Sequence, residues 1–314
     1  MIFDEIRRSV PDPRRLLNQL DFPLRAPTTP DSIEPLTEAS RTGADFDTDW
    51  ARRPAARYSR RVIHELIMAP MVTALARPTV LGIDRLADLE GPAVFASNHA
   101  SHADTPILLR SIPKPWRHQT FVGAAADYFF ESRRAGTLSA LALNAVPIER
   151  NRASRRSALE AIGLIDQGWS MVIFPEGGRS PDGWAQPFRT GAAFLARRTS
   201  RPIVPVHLNG TDQILPKGGN LPRPARTTVM FGQPIWPADD DTNHTLAERV
   251  EQAVDTLADE VRTDWWQARR RMHAAQTPKL TGPQGAAWRR AWAKNKRSRP
   301  ATPRRSWPNL GERR

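Results

Sequence analysis

Three short apolar runs, Pro92-Ala93-Val94-Phe95-Ala96-Ser97, Met171-Val172-Ile173-Phe174 and Ile203 to Leu208, constrain the fold more than any other feature. Runs this brief and this apolar read as buried strands. Between and after them lie helical patterns. Asp104 to Arg110 opens a helix, with Asp104 at the N-cap and Pro106 in the first turn. Ser154 to Gln167 sets Leu159, Ile162 and Ile165 on one face and stops at Gly168. Leu246, Val250, Val254, Leu257 and Val261 mark a later amphipathic helix. This alternation predicts an α/β fold: a single mixed, mostly parallel sheet flanked by helices. Thr227 to Phe231 is expected as an edge strand, and there is no internal repeat.

Charge divides the 314 residues into three parts. Residues 1–50 hold 6 arginines and 10 acids, 51–261 hold 25 basic and 21 acidic residues, and 262–314 hold 15 and 2. The last part alone therefore equals the whole net charge of +13. We expect an acidic, proline-rich and extended arm over 1–58, a folded domain over 59–261 and a basic tail over 262–314. The apolar stretch Val62 to Val72 contains a histidine, a glutamate and a proline, and is too short to span a bilayer. It either covers the core or lies in a lipid interface. The amino terminus has acids where a secretory signal needs a basic and then an apolar segment.

The loop after the first run carries the chemistry. His99 is followed by Asp104, and a histidine oriented by a carboxylate is a general base for an alcohol. The alternative for this motif alone is a loop histidine beside a helix cap. His102 adds no metal site, since no further His/Cys cluster supplies the remaining ligands, and no metal is expected. After the second run, Glu176-Gly177-Gly178-Arg179 forms a turn whose peptide N–H groups and guanidinium suit an anion. Arg150, closing Ala145-Val146-Pro147-Ile148-Glu149-Arg150, is a second arginine for that anion. Taken singly, an arginine in so arginine-rich a chain is more often solvated or ion-paired than a ligand. The chain has no cysteine and no Gly-x-Ser-x-Gly elbow.

These segments resemble the glycerophospholipid acyltransferases, the 1-acylglycerol-3-phosphate acyltransferases and their relatives. Four blocks follow the family's order over roughly residues 60 to 260: Asn98-His99 to Asp104, Val146-Pro147-Ile148-Glu149-Arg150, Phe174-Pro175-Glu176-Gly177-Gly178-Arg179-Ser180 and Pro202-Ile203-Val204-Pro205-Val206. The resemblance implies His99 as base, Asp104 as its partner, and Arg150, Glu176, Gly177, Gly178 and Arg179 at the acceptor. It implies Pro205 on the acyl-donor side. The reaction implied is acyl transfer from an acyl thioester, acyl-CoA or acyl carrier protein, to a lysophospholipid hydroxyl in phospholipid biosynthesis. That chemistry requires no cofactor. Gly178 stands where threonine is usual, and Ala126 lies in a segment, Gly123 to Asp127, without the family's lysine. Glycerol 3-phosphate or a glycolipid therefore stays open as acceptor. So does a non-catalytic membrane or nucleic-acid adaptor, although the intact His99–Asp104 pair weighs against it.

The tail holds Trp265, Trp266, Trp288, Trp292 and Trp307 among many arginines. Guanidinium groups meet anionic head groups while indoles settle at the interface, so an anionic membrane surface is the expected partner. Nucleic acid is disfavoured, and a solvated tail is the plain alternative. The expected location is cytoplasmic, peripheral on the inner face of the cell membrane.

Overall fold

Seven short strands form one sheet: β1 (Thr79–Leu81), β2 (Val94–Ser97), β3 (Thr120–Ala125), β4 (Ala145–Ile148), β5 (Ser170–Ile173), β6 (Ile203–Asn209) and β7 (Thr228–Phe231). This is a computed structural model, and it describes residues 42–149, 155–180, 184–215 and 221–282. The strand order is β1-β7-β6-β2-β5-β3-β4. Every pair is parallel except β6 with β7. The single mixed, mostly parallel sheet is thus as the apolar runs predict. The edge assignment is corrected: β7 lies inside the sheet between β1 and β6, and β1 and β4 are the edges.

Helices cover both faces: α1 (Pro54–Ile63), α2 (Ala69–Leu75), α3 (Asp104–Ser111), α4 (Arg133–Leu143), α5 (Arg155–Asp166), α6 (Gly191–Thr199), α7 (Asn243–Arg262) and α8 (Trp265–His273). Alternation along each strand splits the core in two. Phe95, Val172, Val204 and Val206 pack with Ile107, Leu108 and Leu109 of α3 and with Met68 and Val72. Val94, Ala96, Met171 and Ile203 pack with α5, α6 and α7 through Ile165, Ala193 and Leu246. Burying a side chain of this size contributes roughly 1.5–3 kcal/mol, so either layer far outweighs any one surface contact.

Two helix readings need correction. Asp104 is the first residue of α3, and Ala103 is its N-cap. The buried face of α5 is Ala161, Leu164 and Ile165; Ile162 is half-buried and Leu159 is exposed. The stretch 62–72 runs through α1, a π-helical turn (His64–Met68) and α2. It buries Met68 and Val72 and leaves Leu66 and Ile67 in solvent.

The packed body starts before residue 59. Gly43 N–H donates to Phe130 O, and Trp50 is buried with Ala51 and Ala140. Arg60 then ties α1 to the end of α4, donating to Leu141 O, Ala140 O and Ala51 O. Carbonyls at a helix C-terminus lack intrahelical partners, and a buried cation satisfies them. Beyond α7, Asp264 caps α8 by accepting from Gln267 N–H at 2.8 Å. Arg271 makes a two-pronged pair with Asp259, at 2.6 and 2.8 Å. The expected tail therefore opens as a helix resting on the domain. Residues 1–41 and 283–314, with Trp288, Trp292 and Trp307, lie outside the described residues.

Candidate active site

Parallel pairing sets Val94 beside Met171 and Ala96 beside Ile173, so β2 and β5 end together at one edge of the sheet. The loops leaving them are neighbours in space although His99 and Glu176 are far apart in sequence. Crevices at the carboxyl ends of parallel strands are where such sheets bind ligands.

Asp104 is fully buried, and its Oδ2 accepts three N–H groups: Ala100 N at 2.7 Å, Ser101 N at 2.8 Å and His99 Nδ1 at 2.8 Å. An oxygen already accepting from two backbone amides can only accept from the ring, so Nδ1 carries the proton. Nε2 is then the basic nitrogen. The His99 ring stacks on Phe174, with centroids 4.2 Å apart and planes at 21°. Its side chain keeps 16% exposure, so the base is sheltered and still reachable. Asn98 fixes the loop from behind, exchanging two hydrogen bonds with the backbone of Leu208.

Glu176 has a structural place that its sequence position does not announce. It is 2% exposed, and its two oxygens accept from His99 N–H and Gln186 N–H, each at 2.8 Å. The carboxyl therefore clamps the base's loop to the loop at residue 186. Burial pushes its pKa up to about 8, against the opposing pull of those two N–H groups. Ser180 N–H donates to His99 O at 3.1 Å and closes the same junction.

Gly177 has φ +71°, a left-handed conformation that favours glycine. A Cβ there would fall 2.7 Å from Cζ of Arg189, so the Arg189 guanidinium lies directly over this turn. Arg189 is twelve residues from Gly177, and the contact exists only in the fold. Gly178 O accepts from the Gln186 side chain at 3.4 Å. Arg179 is half-buried, and its charge helps to lower the pKa of His102, after the larger effect of burial. His102 stacks on Tyr128 at 5.3 Å. Among the described residues no group of His, Asp or Glu is arranged to hold a metal ion.

Two expected residues remain, Arg150 and Pro205. Arg150 lies outside the described residues. Pro205 is buried in β6, pairs with Ala96 and packs against Gly232, whose Cβ position would come within 2.7 Å of Pro205 Cγ. It lies in the layer between the sheet and α7, below the strand ends.

Residues 77–209 match the family model described as Acyltransferase. A chloroplastic 1-acyl-sn-glycerol-3-phosphate acyltransferase of Brassica napus is 28% identical over 205 residues, covering 62% of this chain and 58% of the relative. The Limnanthes alba 1-acyl-sn-glycerol-3-phosphate acyltransferase is 32% identical over 170 residues, covering 53% and 57%. The chain thus spans less than two thirds of these relatives' length. The crystal structure of the 1-acyl-sn-glycerophosphate acyltransferase PlsC of Thermotoga maritima shares the fold, with a TM-score of 0.55 and 24% identity over 67% of this chain and 83% of that one. The strand-end loops carrying His99, Asp104 and Glu176 lie inside the matched segment, so the candidate site sits in the part of the chain that is similar to the acyltransferase family.

Proposed function

We propose that this protein transfers a fatty acyl group from an acyl thioester to the free hydroxyl of a lysophospholipid, 1-acylglycerol 3-phosphate above all, giving phosphatidic acid. The observation that carries the reading is the 2.8 Å bond from His99 Nδ1 to Asp104 Oδ2 in the loop that leaves the carboxyl end of β2, beside the end of β5. The acceptor oxygen attacks the thioester carbonyl carbon while its proton passes to His99 Nε2. The tetrahedral intermediate collapses, the carbon–sulfur bond breaks, and the thiolate leaves with the proton from the imidazolium. Asp104 steadies that imidazolium. Arg179 and Arg189 supply positive charge beside the Gly177 turn for the acceptor's phosphate, with Arg150 as a further contributor. Acyl-CoA or acyl carrier protein serves as donor, and no cofactor takes part.

The protein works at a lipid surface. Among the described residues no helix is long and apolar enough to cross a membrane. Attachment is peripheral, on the inner face of the cell membrane, through the basic tail with its exposed Trp265 and Trp266. Incubation of the purified protein with labelled oleoyl-CoA and a panel of lysophosphatidate, glycerol 3-phosphate and lysoglycolipid tests this directly. Labelled phosphatidic acid is expected. Product from glycerol 3-phosphate alone would move the acceptor assignment, and no product from any acceptor would end the reading.

A further inference from the structure

The chain beyond α7 does more than carry charge. After α8 it turns back along α7, and Leu280 is held at both ends of its peptide. Its N–H donates to Asp255 Oδ1 at 2.8 Å, and its carbonyl accepts from Ala185 N–H at 3.0 Å. Two residues on, Gly282 has φ +70°, and a Cβ on it would lie 2.5 Å from the Trp184 indole. Glycine is thus required where the strap passes against the ring. Ala185 adjoins Gln186, whose N–H is one of the two donors that hold Glu176. The other donor is His99 N–H. A continuous series of contacts therefore runs Asp255, Leu280, Ala185, Gln186, Glu176, His99.

We propose that residues 280–282 form a latch that fixes the 184–186 loop and, through Glu176, sets the position of the catalytic histidine, with Asp255 as the positioning residue that anchors the latch. This rests on the acyl-transfer reading of the site. All parts of the latch, Asp255 and residues 280–282, lie outside the matched segment 77–209. Asp255 is 4% exposed on the face of α7, one helical turn past Glu251, which holds Phe188 N–H at 2.7 Å. The two carboxylates grip the two sides of one functional assembly, the loop and its latch. Because Glu176 bonds the backbone of His99, loosening the latch shifts the base and not the donor's binding surface. The signature is a fall in kcat with little change in the donor KM.

The test uses the full-length protein and two readouts, hydrogen exchange over 184–188 and steady-state kinetics with oleoyl-CoA and lysophosphatidate. In Asp255→Ala, the Ala185 and Gln186 amides should exchange about tenfold faster. Its kcat should fall about tenfold or more, with the donor KM within about twofold. Asp255→Asn keeps an acceptor oxygen for Leu280 N–H and should restore both properties. Gly282→Ala disturbs the latch without touching α7 and should reproduce the alanine phenotype if the Asp255 variant does not fold. Wild-type exchange and turnover in Gly282→Ala, or equal impairment of Asp255→Asn and Asp255→Ala, would overturn the latch. If the wild-type protein transfers no acyl group, the reaction assignment fails, and the exchange data alone decide whether the latch holds the loop.

Discussion

Three N–H groups converge on one oxygen of Asp104, and this crowding governs what substitution there does. Asp104→Asn retains one acceptor oxygen but loses the negative charge facing the imidazolium. We expect kcat to fall about 10²–10⁴-fold with the far-UV spectrum unchanged. His99→Ala should lose at least as much, and near-normal turnover in either variant would remove the pair from the chemistry. Glu176 makes a separate, pH-dependent prediction. Its folded-state pKa of about 8 lies above its ordinary value of 4.5, so the native state holds a proton that the unfolded chain has released. Its contribution is complete below about pH 4.5, shrinks as pH rises and is gone above about pH 8. Urea unfolding across that window should show falling stability, with a shallower slope in Glu176→Gln. That variant also turns an amide toward a backbone N–H, costing about 1–3 kcal/mol. Parallel slopes would refute the assignment. The His99–Asp104 pair was legible in the sequence because its geometry closes within six residues. The clamp at Glu176 was not, because its partners are the amides of His99 and Gln186, which only the pairing of β2 with β5 brings together.

Helix α1 shows how one polar side chain fastens an element. Arg60 is 6% exposed and feeds three carbonyls, and burial lowers its pKa to about 10, which leaves it charged at neutral pH. Arg60→Ala would strand those carbonyls and should cost about 1–3 kcal/mol in chemical denaturation. Cutting Leu108 of α3 to alanine should cost more, about 2–5 kcal/mol, since it is fully buried between the helix and the sheet. A Leu108→Ala loss below that of Arg60→Ala would mean that the carbonyl cap outweighs the core here. The strands with strong apolar runs were readable from sequence, since burial on both faces leaves no polar alternation to confuse them. The edge was misplaced because β1 is only three residues long, and its Thr79, Val80 and Leu81 carry no signal apart from their partner β7. The carbonyl-capping task of Arg60 was hidden for a similar reason. It reads as one more arginine in a basic helix until α4 is packed beside it.

At the scale of the molecule, α8 sets its Trp265 and Trp266 in solvent, 51% and 63% exposed, with Arg269 lying 5.8 Å from the Trp265 ring. If this face meets anionic lipid, Arg269→Ala and Arg270→Ala should each weaken binding to phosphatidylserine vesicles by about 1 kcal/mol. The effect should fade as ionic strength rises past that of cell fluid. Equal binding by wild type and the double variant would discard this surface. The sequence foretold the composition of this region but not that its opening helix is pinned by Arg271 to Asp259, because an ion pair between distant segments leaves no periodic trace.

The pairing of β1 with β7 has one more outcome, on the ribosome. Thr79 emerges long before Thr228, its register partner, has been translated. At about 5–20 residues per second, that interval lasts roughly seven to thirty seconds. Throughout it the nascent chain bears an unpaired strand beneath α2, so synthesis of this protein should draw on a chaperone that shields such a surface until the ribosome has passed Phe231.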